Sequence, residues 1–356
     1  MQAEVSQTSD RPAISIVIPV FNAEGTLDKC IESLEAQTFG DWEAVCVNDG
    51  SHDGSLEKLQ RFAEEDARIR VYTQENAGPS AARNTALDAA RGEIVMFLDC
   101  DDWYEPNACE TVRHAFRDGE VDIMAFGATC VPESAAPKHV RDLLSPYDEI
   151  IAGFTPDVLF SKHAQPYIAR IAARRSFLDE HHVRFTTDIK LAEDTAFLFE
   201  AYPHARKTVL SSAKLYNYRM NGESITHALN SANATKAKLD QHLAAIEHIL
   251  ANWRENKLVN LCSGRMVEWI LDFMLFDISH LSVEQQANYI ERLDNLLAET
   301  FGNYPALPRK TAVKKAAEHV SKHECSKLFS GLSAKLAFVQ FFVATRGFKQ
   351  CVERFL

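Results

Sequence analysis

Short β-branched runs alternate with helix-like segments through the first hundred residues, and this alternation limits the possible folds more than any other feature. Each strand-like run is followed by apolar residues at helical spacing, such as Leu27, Ile31 and Leu34. Strands that alternate with helices indicate a parallel α/β sheet with helices on both faces. The predicted strands are 14–20, 42–49, 69–74 and 93–99, and the predicted helices are 26–39, 55–66 and 79–92.

Polar segments follow these strands, and one of them holds three carboxylates. In "EIVMFLDCDDWYEPN" an apolar strand runs directly into Asp99, Asp101 and Asp102. Ligands of parallel α/β sheets bind outside the carboxyl ends of the strands, so we expect "PVFNAE", "VNDGSHDGS", "QENAGPS" and "LDCDDW" to line one crevice. Carboxylates this close repel one another unless a positive charge lies among them. A divalent cation site and a solvated acidic turn both fit this pattern.

The second half of the chain changes character. The segment "KTVLSSAKLYNYRM" (207–220) is predicted to form a pair of strands, and beyond residue 230 the apolar residues recur at helical spacing. We therefore predict three parts. These are a disordered N-terminus (1–12), an α/β domain (13–228) and a helical C-terminal region (231–356).

Charge and thiol content narrow the class of protein. The formal charge of −12 argues against nucleic acid as the main partner, because phosphate binding needs a basic surface. The eight cysteines include no CxxC pair, which favours buried free thiols in a reducing compartment over disulfides or a zinc site. The first residues lack the apolar core of a signal peptide, and no apolar stretch is long enough to span a bilayer. We therefore expect a cytoplasmic protein.

Three motifs occur in order over about the first 225 residues. They are "SIVIPVFNAEGTLDKCIESLEAQTFGDWEAVCVNDGSHDGS", "NAGPSAARNTALDAARGEIVMFLDCDDWYEP" and "LAEDTAFLFEAY". Together they resemble the family 2 glycosyltransferases of the GT-A fold. The resemblance implies a Rossmann-like, mostly parallel sheet, a nucleotide-sugar donor, a divalent Mn²⁺ or Mg²⁺ ion and inversion at the anomeric carbon.

The same resemblance assigns the metal and nucleotide contacts. Asp101 is implied as the direct metal ligand, and Asp99 as a contact of the ribose or of a metal-bound water. His227 is a third candidate ligand, although a lone histidine is more often an ordinary surface or core residue. Asp49 is implied to accept the N3–H of uracil, or it serves the turn in "NDGSHDG". The other implied nucleotide contacts are Pro19 and Phe21 at the base, Asn76, Gly78 and Arg83 near a helix start, and Arg219 at the diphosphate.

The implied catalytic base lies in "LAED". An inverting displacement needs a base on the face opposite the leaving group, to take the proton of the acceptor hydroxyl. The matching motif puts this base on Asp194, and a helix N-terminus favours the ionised carboxylate. Helix capping is the alternative for Asp194, and the two roles are compatible. Glu193 and Trp103 are the predicted acceptor contacts, although Trp103 also suits core packing.

Residues 309–356 combine basic charge with an apolar helical stripe. They hold ten Lys/Arg and three Asp/Glu, a net +7, so the preceding residues carry −19. Apolar residues recur at 328/329, 332, 336, 339 and 343. Such a helix suits an anionic lipid surface, which predicts peripheral binding at the inner face of the cell membrane. It equally suits packing on the protein body or in a homo-oligomer.

The predicted function is a metal-dependent inverting glycosyltransferase. It would move a hexosyl or N-acetylhexosaminyl group from a UDP-sugar or other nucleotide sugar to a saccharide, polyol-phosphate or lipid-linked acceptor in bacterial surface glycan synthesis. Two alternatives stay open. A nucleotidyltransferase can share this architecture, but "PVFNAEGT" stands where its glycine-rich basic loop is expected. A catalytically silent nucleotide- or carbohydrate-binding protein would not need Asp99, Asp101 and Asp194 together.

Overall fold

A computed structural model describes residues 11–164, 167–220 and 232–348. The chain divides into two compact units. The first is built from the described parts of 1–155, 162–190 and 201–220, and the second from those of 156–161, 191–200 and 221–356. The predicted domain boundary at 228–231 and most of the predicted disordered N-terminus lie outside the described residues.

The first unit contains one mixed sheet. The strands lie in the order β3-β2-β1-β4-β8-β6-β9-β5, and β7 also pairs with β9. The strands are β1 Ile14–Val20, β2 Trp42–Asp49, β3 Ile69–Gln74, β4 Ile94–Phe97, β5 Trp103–Tyr104, β6 Ile123–Val131, β7 Glu149–Ala152, β8 Ile171–Arg174 and β9 Lys207–Arg219. This sheet confirms the predicted α/β class.

Helices flank the sheet in the first unit and dominate the second unit. Those of the first unit are α1 Leu27–Glu35, α2 Ser55–Glu65, α3 Pro79–Ala89, α4 Ala108–Ala115, α5 Lys138–Leu143 and α7 Arg175–Glu180. The others are α6 Pro156–Phe160, α8 Glu193–Ala201, α9 Ala232–Glu255, α10 Ser263–Ile278, α11 Val283–Phe301, α12 Thr311–Ser321, α13 Cys325–Phe329 and α14 Gly331–Arg346. The helical C-terminal region is thus confirmed over the residues described.

The four strands β1 to β4 form a parallel half of the sheet. β1 pairs in parallel with β2 and β4, and β2 pairs in parallel with β3. All eight residues of β2 are buried, which is expected of a parallel strand covered on both faces. The bounds predicted for β1, β2 and β3 are confirmed. Since these strands run in one direction, their carboxyl ends share one edge.

The prediction of a strand pair in 207–220 was wrong. The segment forms the single strand β9, which pairs in parallel with β6. The β6–β9 register shifts between Ala125 and Gly127 and again between Gly127 and Ala128. The shifts accommodate residues 211–213 ("SSA") without a turn, so the strand continues to Arg219. The far end of β9 therefore reaches the same region as the segment that follows β4.

Hydrophobic packing on the sheet follows the apolar spacing of the helices. Leu27, Ile31 and Leu34 of α1 are fully buried in one core cluster with Ile16 and Ile18 of β1. Burying a side chain of this kind contributes about 1.5–3 kcal/mol. The apolar face of α1 and the β-branched residues of β1 therefore share one core, and this core stabilises the first part of the sheet.

Packing in the second unit surrounds α8. Phe197, Leu198 and Phe199 of α8 are fully buried, and Trp253 of α9 donates from Nε1 to the carbonyl of Phe199 at 2.9 Å. A further contact joins Glu200 Oε1 to a ring nitrogen of a histidine in α9, at 2.6 Å. The helix with the predicted base thus belongs to the helical unit, although the sequence motif continues the α/β pattern.

The described cysteines are free thiols, as predicted. Five of them are buried, and Cys100 and Cys325 are partly so. In the part of the chain that the structure describes, no helix is both long and apolar enough to cross a membrane.

Candidate active site

The carboxyl ends of β1 to β4 bring four polar segments to one edge of the sheet. Phe21 follows β1 and is 45% exposed, with its ring centroid 6.4 Å from that of His52. Pro19, the other residue predicted at the base, is half-buried within β1 beside Val47. Of these two residues, Phe21 therefore presents the larger surface to a ligand at this edge.

Asp49, the last residue of β2, is buried and holds the loop that follows β3. Its carboxylate accepts hydrogen bonds from Gln74 Nε2 at 2.8 Å and from the backbone N–H groups of Ala77 and Gly78 at 2.9 and 2.8 Å. An ionised carboxylate has about four lone-pair positions, so one stays available for a further donor. The loop-holding role is thus compatible with the predicted bond to uracil.

Two glycines let this loop lie against β2. Gly50 has a φ of +70°, and a Cβ there would stand 2.9 Å from the backbone nitrogen of Asn76. Gly78, directly before α3, has a φ of +89°. Glycine adopts such angles without a steric penalty. The predicted nucleotide contacts Asn76 and Gly78 therefore lie at the same strand end as Asp49, with the Asn76 side chain exposed.

Arg83 connects α3 to the acidic segment. Its Nη2 donates to Asp99 Oδ1 at 2.9 Å, and its guanidinium carbon lies 5.3 Å from the ring centroid of Phe185. The residue is only 5% exposed, so Arg83 is not an ordinary surface arginine. Arg83 therefore orients Asp99 and supplies positive charge beside the carboxylates.

The three carboxylates of "DCDD" have different environments. Asp102 is buried and accepts hydrogen bonds from Tyr216 Oη at 2.5 Å and from the Arg219 backbone N–H at 2.6 Å. Burial, followed by the charges of Asp101 and Asp99, raises the pKa of Asp102 to about 8. Burial and Asp99 also raise the pKa of the partly exposed Asp101. Asp102 thus holds the turn against β9, and Asp99 and Asp101 remain at the site.

Arg219 ends β9 beside the acidic segment. Its Nε donates to the carbonyl of Asp101 at 2.8 Å, and its guanidinium carbon lies 5.4 Å from the ring centroid of Trp103. Lys29 also contacts that ring, with its Nζ 3.2 Å from the centroid. An acceptor sugar that stacks on the face of Trp103 that Lys29 covers would have to displace that side chain.

The donor set fits a divalent ion that shares its shell with substrate. Carboxylate oxygens are hard ligands that suit Mg²⁺ or Mn²⁺, and one or two of them commonly act with substrate phosphates. Burial, and after it the charge of Asp99, raises the pKa of Asp101, and a cation beside the two carboxylates would offset the repulsion between them. Over residues 11–164, 167–220 and 232–348, no cluster of three or more His, Cys, Asp or Glu side chains could hold a metal by itself. His227 lies outside the described residues.

Glu193 and Asp194 occupy the first turn of α8 in the second unit. The preceding residue, Ala192, has a φ of +70°, an unusual angle for a residue with a Cβ. From Thr195 onward the helix is buried, whereas Glu193 and Asp194 are partly exposed. The two acids therefore stand at the partly exposed start of a helix whose remaining residues are buried.

Three tyrosines of the first unit were missed by the sequence analysis. Tyr216 and Tyr218 are two residues apart on β9 and so point to one face. Tyr216 binds Asp102, and the Tyr218 ring lies 5.8 Å from that of Tyr167. Burial, Tyr167 and then the carboxylates of the acidic segment raise the pKa of Tyr218. The alternating tyrosines of "YNYR" could have indicated that Tyr216 and Tyr218 share one face of a strand. No local pattern marks Tyr167.

Comparison with known proteins identifies the family. The model of Glycosyl transferase family 2 matches residues 15–182. EpsH of Bacillus subtilis (strain 168), which carries the name of a glycosyltransferase, is 30% identical over 276 residues, or 77% of this chain and 76% of EpsH. The poly(ribitol-phosphate) beta-glucosyltransferase of Bacillus spizizenii is 31% identical over 221 residues, which cover 60% of this chain but 34% of that protein.

Comparison with solved structures supports the fold. The crystal structure of S. aureus TarS 1-349 in complex with UDP-GlcNAc superposes with a TM-score of 0.68 at 19% identity, over 94% of this chain and 92% of that one. At this identity the likeness concerns the fold alone. Together with the family model and with EpsH, it establishes that the chain belongs to the family 2 glycosyltransferases and is a glycosyltransferase of the GT-A fold.

Proposed function

We propose that this enzyme transfers a sugar from a UDP-sugar, with inversion and with a divalent ion, to an acceptor hydroxyl in bacterial surface glycan synthesis. The observation that carries the proposal is the pair Asp99 and Asp101, held between Arg83 and Arg219 at the strand edge that also bears Asp49. Carboxylates for a cation and arginines for phosphate are what a nucleoside diphosphate needs.

The first unit would bind the donor. Asp49 accepts the uracil N3–H with its remaining lone pair, and Phe21 covers the base. Asp99 and Asp101 would hold the cation, which would supply positive charge for the departing diphosphate. Arg219 has further N–H donors for the diphosphate beyond the one that binds the Asp101 carbonyl. These groups act on charge that grows as the glycosidic bond breaks, so they favour the transition state.

The acceptor step would use the start of α8. The acceptor oxygen attacks the anomeric carbon, the bond from that carbon to the diphosphate oxygen breaks, and the electron pair leaves with UDP. Asp194 takes the proton that the acceptor hydroxyl loses. Glu193 contacts the acceptor beside it. TarS was crystallised with UDP and with UDP-GlcNAc, and the Bacillus spizizenii relative is named for a ribitol-phosphate polymer. We therefore rank UDP-GlcNAc and UDP-glucose first as donors and polyol phosphates first as acceptors.

Release of UDP tests this function. We expect acceptor-dependent UDP release from UDP-GlcNAc or UDP-glucose in the presence of Mn²⁺, and its loss when EDTA removes the ion. The acceptor panel comprises a ribitol-phosphate polymer, an oligosaccharide and a lipid-linked saccharide. A nucleotidyltransferase would release pyrophosphate from a nucleoside triphosphate instead. A silent binding protein would bind UDP-sugar and release no UDP with any acceptor.

We further propose that α14 rests on an anionic membrane surface. Leu332, Leu336 and Val339 recur along one face of this helix and are 87%, 60% and 42% exposed. Lys335 lies between the two leucines and is also exposed. Exposed apolar residues with basic neighbours are typical of helices that lie in the lipid interface, where each Lys or Arg contributes about 1 kcal/mol.

Charge insertion into this face should abolish vesicle binding. We expect Leu332→Glu/Leu336→Glu to lower co-sedimentation with anionic vesicles by at least about tenfold, because two exposed leucines lose their burial in lipid. Val283→Glu is the matched control, since Val283 in α11 is 74% exposed outside the stripe. If the double variant binds vesicles as well as the control, the membrane proposal fails. A change in oligomeric state without a change in vesicle binding would assign the stripe to a second copy.

A further inference from the structure

A cavity of about 370 Å³ lies at the edge of the sheet opposite the acidic segment. The charged residues that line it are Arg11, Arg91, Arg113, Arg175, Asp41 and Glu93. Five of these residues precede β1, β2 or β4 or begin α7. The sixth, Arg113, lies in the last turn of α4. β1 has seven residues, so the cavity is separated from the carboxyl edge by roughly 20 Å at about 3.3 Å per residue. It is therefore distinct from the donor site.

The cavity carries an excess of positive charge within an acidic protein. Its lining has four guanidinium groups and two carboxylates, whereas the whole chain has a net charge of −12. Two further carboxylates, Glu43 and Asp179, pair with Arg91 and Arg175 from outside the lining. Glu93 is shared, because Arg174 also binds it, and its nearest oxygen lies 3.6 Å from Arg113 Nη1. That separation is beyond hydrogen-bond distance, so the Arg113 charge is only loosely compensated.

The other arginines are held in place by contacts that leave donors available. Arg91 binds the buried Glu43 through Nε at 2.9 Å and through Nη2 at 2.8 Å. Arg175 donates from Nε to the carbonyl of Gly92 at 2.8 Å and approaches Asp179 with Nη1 at 3.2 Å. Each guanidinium has five N–H donors, and these contacts use only some of them. The side chains of Arg91, Arg113 and Arg175 are 49%, 33% and 28% exposed, so a ligand can reach them.

We propose that this arginine cavity binds a phosphoryl group. A planar guanidinium matches two oxygens of a phosphate at once, and three such groups around one cavity suit the tetrahedral arrangement of those oxygens. The anchoring by Glu43, Gly92 and Asp179 orients the guanidinium groups before the ligand arrives, which lowers the entropy lost on binding. The phosphoryl group belongs either to a free phosphate or to the backbone of a polyol-phosphate chain.

Phosphate titration of the full-length protein tests the site. Calorimetry with inorganic phosphate is run in the presence of saturating UDP and Mg²⁺, so that the donor site is filled, and against NaCl at equal ionic strength. We expect saturable binding that Arg113→Ala weakens by about tenfold or more, because a charge-assisted hydrogen bond is lost. Arg113→Lys keeps the positive charge but lacks the planar guanidinium that can bind two phosphate oxygens, so it should bind phosphate with intermediate affinity. Arg117→Ala, a surface arginine just beyond α4 and outside the lining, should match the wild type.

Two results would overturn the site. One is the absence of saturable phosphate binding above the NaCl control. The other is equal affinity of Arg113→Ala, Arg113→Lys and Arg117→Ala; if Arg113→Ala fails to fold, the comparison of Arg113→Lys with Arg117→Ala decides. A parallel titration with a ribitol-phosphate oligomer separates the two sources. Tighter binding of the oligomer than of phosphate, if Arg113→Ala weakens it, assigns the cavity to an acceptor chain, and tighter binding of phosphate assigns it to a free phosphate. Because the titration requires no sugar transfer, a negative result would contradict the phosphoryl site and not the proposed glycosyltransferase activity.

Discussion

Asp194→Asn lowers the turnover of sugar transfer by a factor of about 10² or more, the usual contribution of a positioned general base. The affinity for UDP changes by less than about twofold, because the base acts on the acceptor in the transition state rather than on the bound donor. Asparagine has the size of aspartate but cannot take the acceptor proton. The α8 packing behind it, through the buried Phe197 and Phe199, is untouched by the substitution.

Glu284→Gln is the matched control for this prediction. It removes one negative charge from the first turn of α11, a helix of the same unit that has no assigned role in transfer, so its effect on a helix dipole is similar, about 0.3–1 kcal/mol. Turnover is measured as acceptor-dependent UDP release, UDP affinity by calorimetry, and folding by the thermal unfolding midpoint. Normal turnover of Asp194→Asn would mean that Asp194 only caps the helix and that another residue acts as the base. Equal losses in both variants would indicate a general effect of removing a negative charge rather than a specific base.

Asp101→Ala removes most of the gain in UDP affinity that Mn²⁺ provides. Loss of residues that merely support a metal ligand lowers metal affinity by about 10–100-fold, and loss of a ligand should cost at least as much. The physical basis is that Asp101 is partly buried beside a second carboxylate: burial, followed by the charge of Asp99, raises the pKa of Asp101. A divalent ion held by these carboxylates would offset that repulsion.

Calorimetry of UDP with and without Mn²⁺ measures this linkage, and Glu57→Gln is the control. Glu57 is an exposed carboxylate of α2 in the same unit, so its loss changes the net charge equally. The gain from Mn²⁺ in the wild type should also decline as the pH falls through the raised pKa of Asp101, because protonation competes with the ion. Equal UDP affinity with and without Mn²⁺ in the wild type, or an unchanged gain in Asp101→Ala, would contradict the metal role.

The parallel half of the sheet was predictable because its signals are local. β1, β2 and β3 have the predicted bounds, since a strand buried on both faces is a short run of β-branched residues that ends at a polar turn. The same logic predicted Asp49 and Asp99 at strand ends; Asp49 does end β2, whereas β4 ends at Phe97, two residues before Asp99. These positions depend on neighbours within a few residues.

The separate roles of the three clustered carboxylates were not predictable in the same way. Asp99, Asp101 and Asp102 are chemically alike in the sequence. Tyr216, which is 114 residues from Asp102, is what buries and binds it, and it arrives because β9 continues through "SSA" instead of turning. A long-range strand pairing therefore divides the acidic segment into one turn-holding residue and two that stay at the site.

By itself the sequence determined the family, the α/β class, the first three strands and the residue types available for donor chemistry, because ordered motifs and hydrophobic periods are local patterns. Only the tertiary structure decided that α8, with Asp194, packs in the helical unit, through the buried Phe199 and Trp253. It also decided that Leu332 and Leu336 face solvent and that four arginines line one cavity. Burial and charge proximity depend on contacts between distant residues, and no local pattern encodes those contacts.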